Sequence, residues 1–112
     1  MSRPEQSYIQ PTRVVKGTEN LDKGRKVTVA AGTPILLSAT SVPFHWLILQ
    51  ALVTNTNNVV VGGSTISLVA GSEGGTVLTP LSSLPYEDGN LNQIYVDSVT
   101  TGEGVSWQVN KK

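Results

Sequence analysis

A chain of 112 residues has room for one domain, and the absence of cysteine removes disulfides, thiolate zinc sites and a cysteine nucleophile together. No stretch of about 18 apolar residues is available to span a membrane, and Met1-Ser2-Arg3-Pro4-Glu5 opens onto polar chain rather than a secretory leader, so synthesis in a cytoplasm is expected. Eight basic and eight acidic side chains cancel to zero, but they are unevenly placed: Arg3, Arg13, Lys16, Lys23, Arg25 and Lys26 precede residue 27, Lys111 and Lys112 end the chain, and nothing between is basic.

The sequence therefore reads as an acidic body flanked by a basic N-terminal arm and a basic tip, an asymmetry that suits contact between unlike surfaces. Glu5, Glu19 and Asp22 dilute the arm, and it has no dense Lys/Arg cluster with interleaved aromatics, so direct nucleic-acid binding is not expected. Residues 1–25 show neither helical nor strand periodicity and are expected to form an extended arm. Tyr8, Ile9, Val14 and Val15 are its apolar anchors, and Arg13, Lys16, Arg25 and the adjoining Lys26 its partner-facing charges.

From residue 26 to 112 the pattern is that of a β body. Lys26-Val27-Thr28-Val29-Ala30 alternates, Gly32-Thr33-Pro34 turns, and Ile35-Leu36-Leu37 starts a second strand. Residues 44–53, Phe-His-Trp-Leu-Ile-Leu-Gln-Ala-Leu-Val, form the longest apolar run and carry apolar side chains on both faces of a strand, so both faces call for cover, with Trp46 as the expected core anchor. Thr54 to Asn58 reads as a turn joining this strand to Val59-Val60-Val61 in a hairpin. Gly62-Gly63-Ser64 reads as a second tight hairpin to Thr65-Ile66-Ser67-Leu68-Val69. Thr76 to Thr79 is a short strand, Leu81 to Asn90 a long connection with an Asp88-Gly89-Asn90 turn, and Leu91 to Asp97 and Val105 to Val109 are the closing strands. Val105, Trp107 and Val109 point one way, with Trp107 expected in the core. Seven or eight strands without a helix predict an antiparallel β-sandwich or jelly-roll.

The residues offer little chemistry. His45 is the only histidine, so a histidine pair for a metal is absent. A Ser-His-Asp set could be drawn from His45, Asp97 and one of eleven serines, but nothing resembles a nucleophile elbow. Glu87-Asp88-Gly89-Asn90 lacks the alternating acids of a calcium loop, and Gly71 to Gly75 lacks the Gly-Lys-Ser/Thr of a phosphate loop. Tyr86, Tyr95 and Trp107 are dispersed, which favours packing over a sugar-stacking platform. No catalytic residue, cofactor or metal is expected.

The succession Trp46-Leu47-Ile48-Leu49-Gln50-Ala51, Asn57-Asn58-Val59-Val60-Val61-Gly62, Gly75-Thr76-Val77-Leu78-Thr79-Pro80-Leu81, Asn90-Leu91-Asn92-Gln93-Ile94-Tyr95-Val96-Asp97 and Gly104-Val105-Ser106-Trp107 resembles small β-rich virion proteins of tailed bacteriophages. With the size and the basic arm, the chain is similar to the capsid decoration proteins called cement or staple proteins, such as those of epsilon-fifteen-like short-tailed phages. The resemblance implies a non-enzymatic protein on the outer surface of the virion capsid, with a jelly-roll body and arms that tie neighbouring major capsid subunits together against the pressure of packaged DNA. A homodimer or trimer is compatible with the two apolar faces of residues 44–53. The same module resembles tail and head-fibre components, so a module binding host-surface carbohydrate is the alternative expectation.

Overall fold

The computed structural model describes residues 20–68 and 74–112, which form an all-β antiparallel sandwich of two four-stranded sheets. The strands are β1 (Leu21–Val27), β2 (Ile35–Leu36), β3 (Pro43–Ala51), β4 (Val59–Gly62), β5 (Thr76–Leu78), β6 (Ser83–Asn90), β7 (Tyr95–Ser98) and β8 (Gly104–Lys111), and a 3-10 turn occupies Leu91–Gln93. One sheet has the order β1-β8-β3-β6 and the other β2-β7-β4-β5. The antiparallel pairs β1·β8, β2·β7, β3·β6 and β4·β5 are nested, first strand with last, and alternate between the sheets. Winding one long antiparallel ribbon around a common core produces this order.

The core lies between the sheets. Leu47, Leu49 and Ala51 of β3 and Val105 and Val109 of β8 meet Val59 and Val61 of β4, Leu78 of β5 and Val96 of β7, with Leu37, Leu91 and Ile94 closing one end. These β-branched and leucine side chains recur at every second position, as a half-solvated antiparallel strand requires. Trp107 packs against this core in part, as expected.

β3 departs from the expectation that both of its faces are covered. The register shifts between Phe44 and Trp46, so a bulge lets Phe44 join Leu47, Leu49 and Ala51 in the core. Trp46, Ile48 and Gln50 then face outward. Trp46 is half-buried and outside the core cluster, so it is not the core anchor; the fully buried Phe44 fills that place, its ring lying over Gly89.

Two expected hairpins are not formed. β3 and β4 belong to different sheets, and residues 52–58 are the crossing between them. β4 pairs with β5 and β7 rather than with Thr65 to Leu68, where only the Ser67–Gly74 bridge forms. Ile66 instead folds back beside Val60 on the outer face of that sheet. Gly75, at φ +99°, sits where a Cβ would meet both side chains. The stretch expected as a long connection is the edge strand β6, which pairs residue by residue with β3. Pro85 is tolerated there because an edge strand can leave one side unpaired.

Candidate interaction surface

The first of the candidate elements is β1. It begins at Leu21, inside the stretch expected as arm, and all seven of its residues pair with β8, from Leu21 opposite Asn110 to Val27 opposite Gly104. Arg25, expected in the arm, therefore lies in the sheet with Lys26, as do residues 21–24. Arg25 is exposed on the outer face and Lys26 half-buried on the inner. The pattern that hid β1 is its composition: Asp22, Lys23, Gly24, Arg25 and Lys26 mask the alternation, as charged residues do on edges that must not pair indiscriminately. Gly24 has a specific reason to be glycine, because the Trp107 indole lies against it on the inner face. Tyr8, Ile9, Arg13, Val14, Val15 and Lys16 lie outside the described residues.

The point where the arm enters is pinned. The Asn20 N–H donates to Asn110 Oδ1 at 3.2 Å, and the Lys111 N–H donates to the Asn20 carbonyl at 3.0 Å. Lys111 pairs with Asp22 at 3.4 Å and Lys112 with Asp88 at 3.6 Å, both exposed and each worth little alone. The Asp22 carboxyl is held below its usual range by the Lys23 N–H and then by Lys111. The last basic residues thus sit at the end of the sandwich where β1 begins, Lys111 toward β1 and Lys112 toward β6.

The opposite end of the sandwich carries loops 28–34, 52–58, 79–82 and 99–103. None contains a lysine or arginine. Loops 52–58 and 99–103 are cross-linked through Glu103, whose carboxylate accepts from the N–H and hydroxyl of Thr56 at 2.7 and 2.8 Å and from the Asn57 N–H at 3.2 Å. These donors, led by the Thr56 N–H, lower the Glu103 pKa. Buried Asn55 donates to the Gly104 carbonyl at 2.8 Å and accepts from the Gly104 N–H at 3.2 Å, while Thr28 and Ser98 share a hydroxyl bond of 2.5 Å. Each of the four loops also presents one exposed aliphatic side chain, Val29 (83%), Val53 (69%), Leu81 (56%) and Val99 (52%).

The outer face of the β1-β8-β3-β6 sheet is a mixed surface. Its rows run Leu21, Asn110, Trp46, Glu87, then Lys23, Gln108, Ile48, Pro85, then Arg25, Ser106, Gln50, Ser83. Ile48 is 44% exposed and stands with half-buried Trp46 among the polar Asn110, Gln108, Ser106 and Gln50 of the two central strands, while Leu21 (42% exposed), Lys23 and Arg25 stand on the β1 side and Glu87 on the β6 side. Sequence reading missed this surface because β6 was not recognised as a strand and the first strand was expected at residues 26–30, whereas β1 spans Leu21–Val27 and residues 28–30 are loop.

The structure does not bring His45 and Asp97 together. His45 is exposed on β3, whereas Asp97 is buried on the other sheet, turned away from the core, with its Oδ1 accepting from the Gly32 and Ser98 N–H groups at 3.0 and 2.8 Å. Among the described residues, no group of three His, Asp or Glu side chains could hold a metal ion, and no helix is long and apolar enough to cross a membrane. Tyr86 and Trp107 pack inward and Tyr95 lies on the other sheet, so the three aromatics form no platform. Burial pushes the Tyr86 hydroxyl pKa up. Comparison with protein-family models, with curated proteins and with solved structures finds no match.

Proposed function

We propose that this chain is a non-enzymatic structural protein of a tailed-phage virion, decorating the outer surface of the capsid and cementing neighbouring major capsid subunits through its N-terminal arm and a body of the jelly-roll type. The observation that carries the reading is the way the arm joins the body. A tether must pass tension into a folded anchor, and here the chain leaves the arm directly into β1, whose seven residues are all paired with β8. A pull directed along β1 would load this ladder in shear, so its hydrogen bonds would share the force rather than open one after another.

The resemblance of residues 44–109 to phage virion proteins supplies the setting, and the basic residues before position 27 supply long-range attraction to an acidic partner. An arm that orders only on docking can cover a large area, and many copies at many joints add avidity. Carbohydrate binding at a tail or fibre tip has less support, because all five aromatic side chains among the described residues sit on strands and the loop tips carry valine and leucine.

The test is capture on phage heads stripped of accessory proteins, comparing the full chain with one lacking residues 1–19. The expected result is binding of the full chain at many copies per head and loss of at least tenfold in affinity for the shortened one, with attachment weakening as salt rises. Equal occupancy by both chains would sink the arm model, and binding by neither would reject the decoration role.

A further inference from the structure

We infer that Leu81, in the turn that leads into β6, is an anchor by which the body docks on a major capsid subunit, its side chain seating in an apolar pocket of that partner. The identity of the partner rests on the decoration role; the anchoring role rests on the turn. The Ser82 N–H donates to the Thr79 carbonyl at 3.0 Å, which makes Pro80 and Leu81 the central residues of a tight turn, and Leu81 stands at φ +71°. That is the second central position of a type II turn, where glycine or asparagine is usual because a Cβ on left-handed backbone crowds the carbonyl that follows. The same end of the sandwich turns twice more through left-handed backbone, at Gly32 and Gly102, both at φ +88°. Only there is the residue glycine.

Hydrogen bonds to the end of β3 hold the turn in place. The Leu81 N–H donates to the Ala51 carbonyl at 3.1 Å, the Ala51 N–H to the Ser82 carbonyl at 2.9 Å and Gln50 Nε2 to the Leu81 carbonyl at 3.1 Å, while the Thr79 and Ser82 hydroxyls share a bond of 2.6 Å. These bonds fix the main chain and leave the side chain 56% exposed, outside the core cluster. A leucine that strains the backbone without joining the core does not serve the fold, and strain held by its surroundings in this way marks sites of contact.

The surroundings select a protein as the occupant. Val29, Val53 and Val99 are exposed at the same end, and none of its four loops carries a lysine or arginine. Nucleic acid or anionic lipid would find no counter-charge there. A second copy docked through the same end would bring two Glu103 carboxylates into one interface. Aliphatic anchors spaced among hydroxyl and amide side chains are the composition of a wet protein interface. The position also fits: residues before 20 join the body at the far end, where Leu21 opens β1, and the seven residues of that strand set the two ends roughly 23 Å apart. A protein that ties neighbouring subunits needs two separated contacts, and the two ends of the sandwich provide them.

The test is capture of the full chain, Leu81→Ala and Leu81→Gly on phage heads stripped of accessory proteins, with a thermal scan of each. Alanine removes the anchor and keeps the strain; glycine removes both. Both variants are expected to bind about five- to thirtyfold more weakly, by the same factor at low and high salt. The thermal midpoint is expected to stay within about 3 °C for Leu81→Ala and to rise by about 2–5 °C for Leu81→Gly. Undiminished capture of both variants would overturn the anchor and leave the decoration role standing, and a lower midpoint for Leu81→Gly would overturn it by showing that the side chain serves the fold. Failure of the unaltered chain to bind would overturn both. Sedimentation velocity and flotation with phosphatidylcholine vesicles complete the comparison: self-association or vesicle binding that Leu81→Gly abolishes would make a second copy or a membrane the occupant and overturn the capsid contact.

Discussion

Glu103 shows how one side chain joins two loops at an end of the sandwich. Its carboxylate collects three donors from Thr56 and Asn57, so the charged form is bound more tightly in the folded chain than in the unfolded one. A depressed carboxylate pKa contributes stability that is complete above the unfolded value, ordinarily 4.5, and is lost as the pH falls through the folded value. The urea midpoint is therefore expected to drop between about pH 5 and pH 3, and Glu103→Gln should flatten that drop. Asp22, also depressed, contributes in the same direction and leaves a remainder in the variant. A midpoint with the same pH slope in both chains would count against the role of Glu103. Asn55→Ala acts nearby but differently: it strips both side-chain bonds to Gly104 from a buried site, at a cost of about 1–3 kcal/mol read from chemical denaturation at pH 7. Neither role could be read from the sequence, since Asn55 and Glu103 lie 48 positions apart in chain and meet only because the loops do.

At the scale of elements, β1 makes the sharpest claim. A methyl group on Gly24 would run into the six-membered ring of the Trp107 indole, a rigid neighbour that can yield only by leaving the core or by lifting β1 off β8. Gly24→Ala should cost about 1–3 kcal/mol, shift the indole emission and lower amide protection across residues 21–27. Unchanged emission and protection would show that the strand accommodates the group. The elements legible in advance were those with clean alternation and local boundaries. β3 stood out by its apolar run, β8 by Val105, Trp107 and Val109, and β5 by its closing Pro80. β1 and β6 were hidden because each is an edge strand built from the residues that usually mark loops: charges and Gly24 in one, Pro85, Asp88 and Gly89 in the other. Asp88 even takes a turn-like φ of +51°, at the bulge opposite His45, without ending the strand. The charged positions Arg25 and Lys26 were recognised as exposed partners of something, yet their placement on a sheet edge followed only from the pairing.

For the molecule as a whole, the nested pairing explains why the expected hairpins failed. Reading a sequence pairs neighbours, whereas here Leu21 pairs with Asn110 and Ile35 with Val96, and β3 reaches past β4 and β5 to find β6. Such closure of the first strand on the last must await the rest of the sheet, so folding is expected in the slow, millisecond-to-second range typical of non-local β topologies. It also makes β1 the last course of the wall. Two truncations separate β1 from the residues before it. A chain lacking residues 1–19 keeps every described strand and should unfold in one cooperative transition, with its midpoint within a few degrees of that of the full chain. A chain lacking residues 1–27 loses β1, bares the Trp107 indole and leaves β8 as an open edge, and should be markedly less stable and prone to aggregate. Thermal scans with turbidity at matched concentration decide it. If the first truncation were as damaging as the second, residues before 20 would be part of the folded body, and the division of the chain into arm and anchor would be wrong.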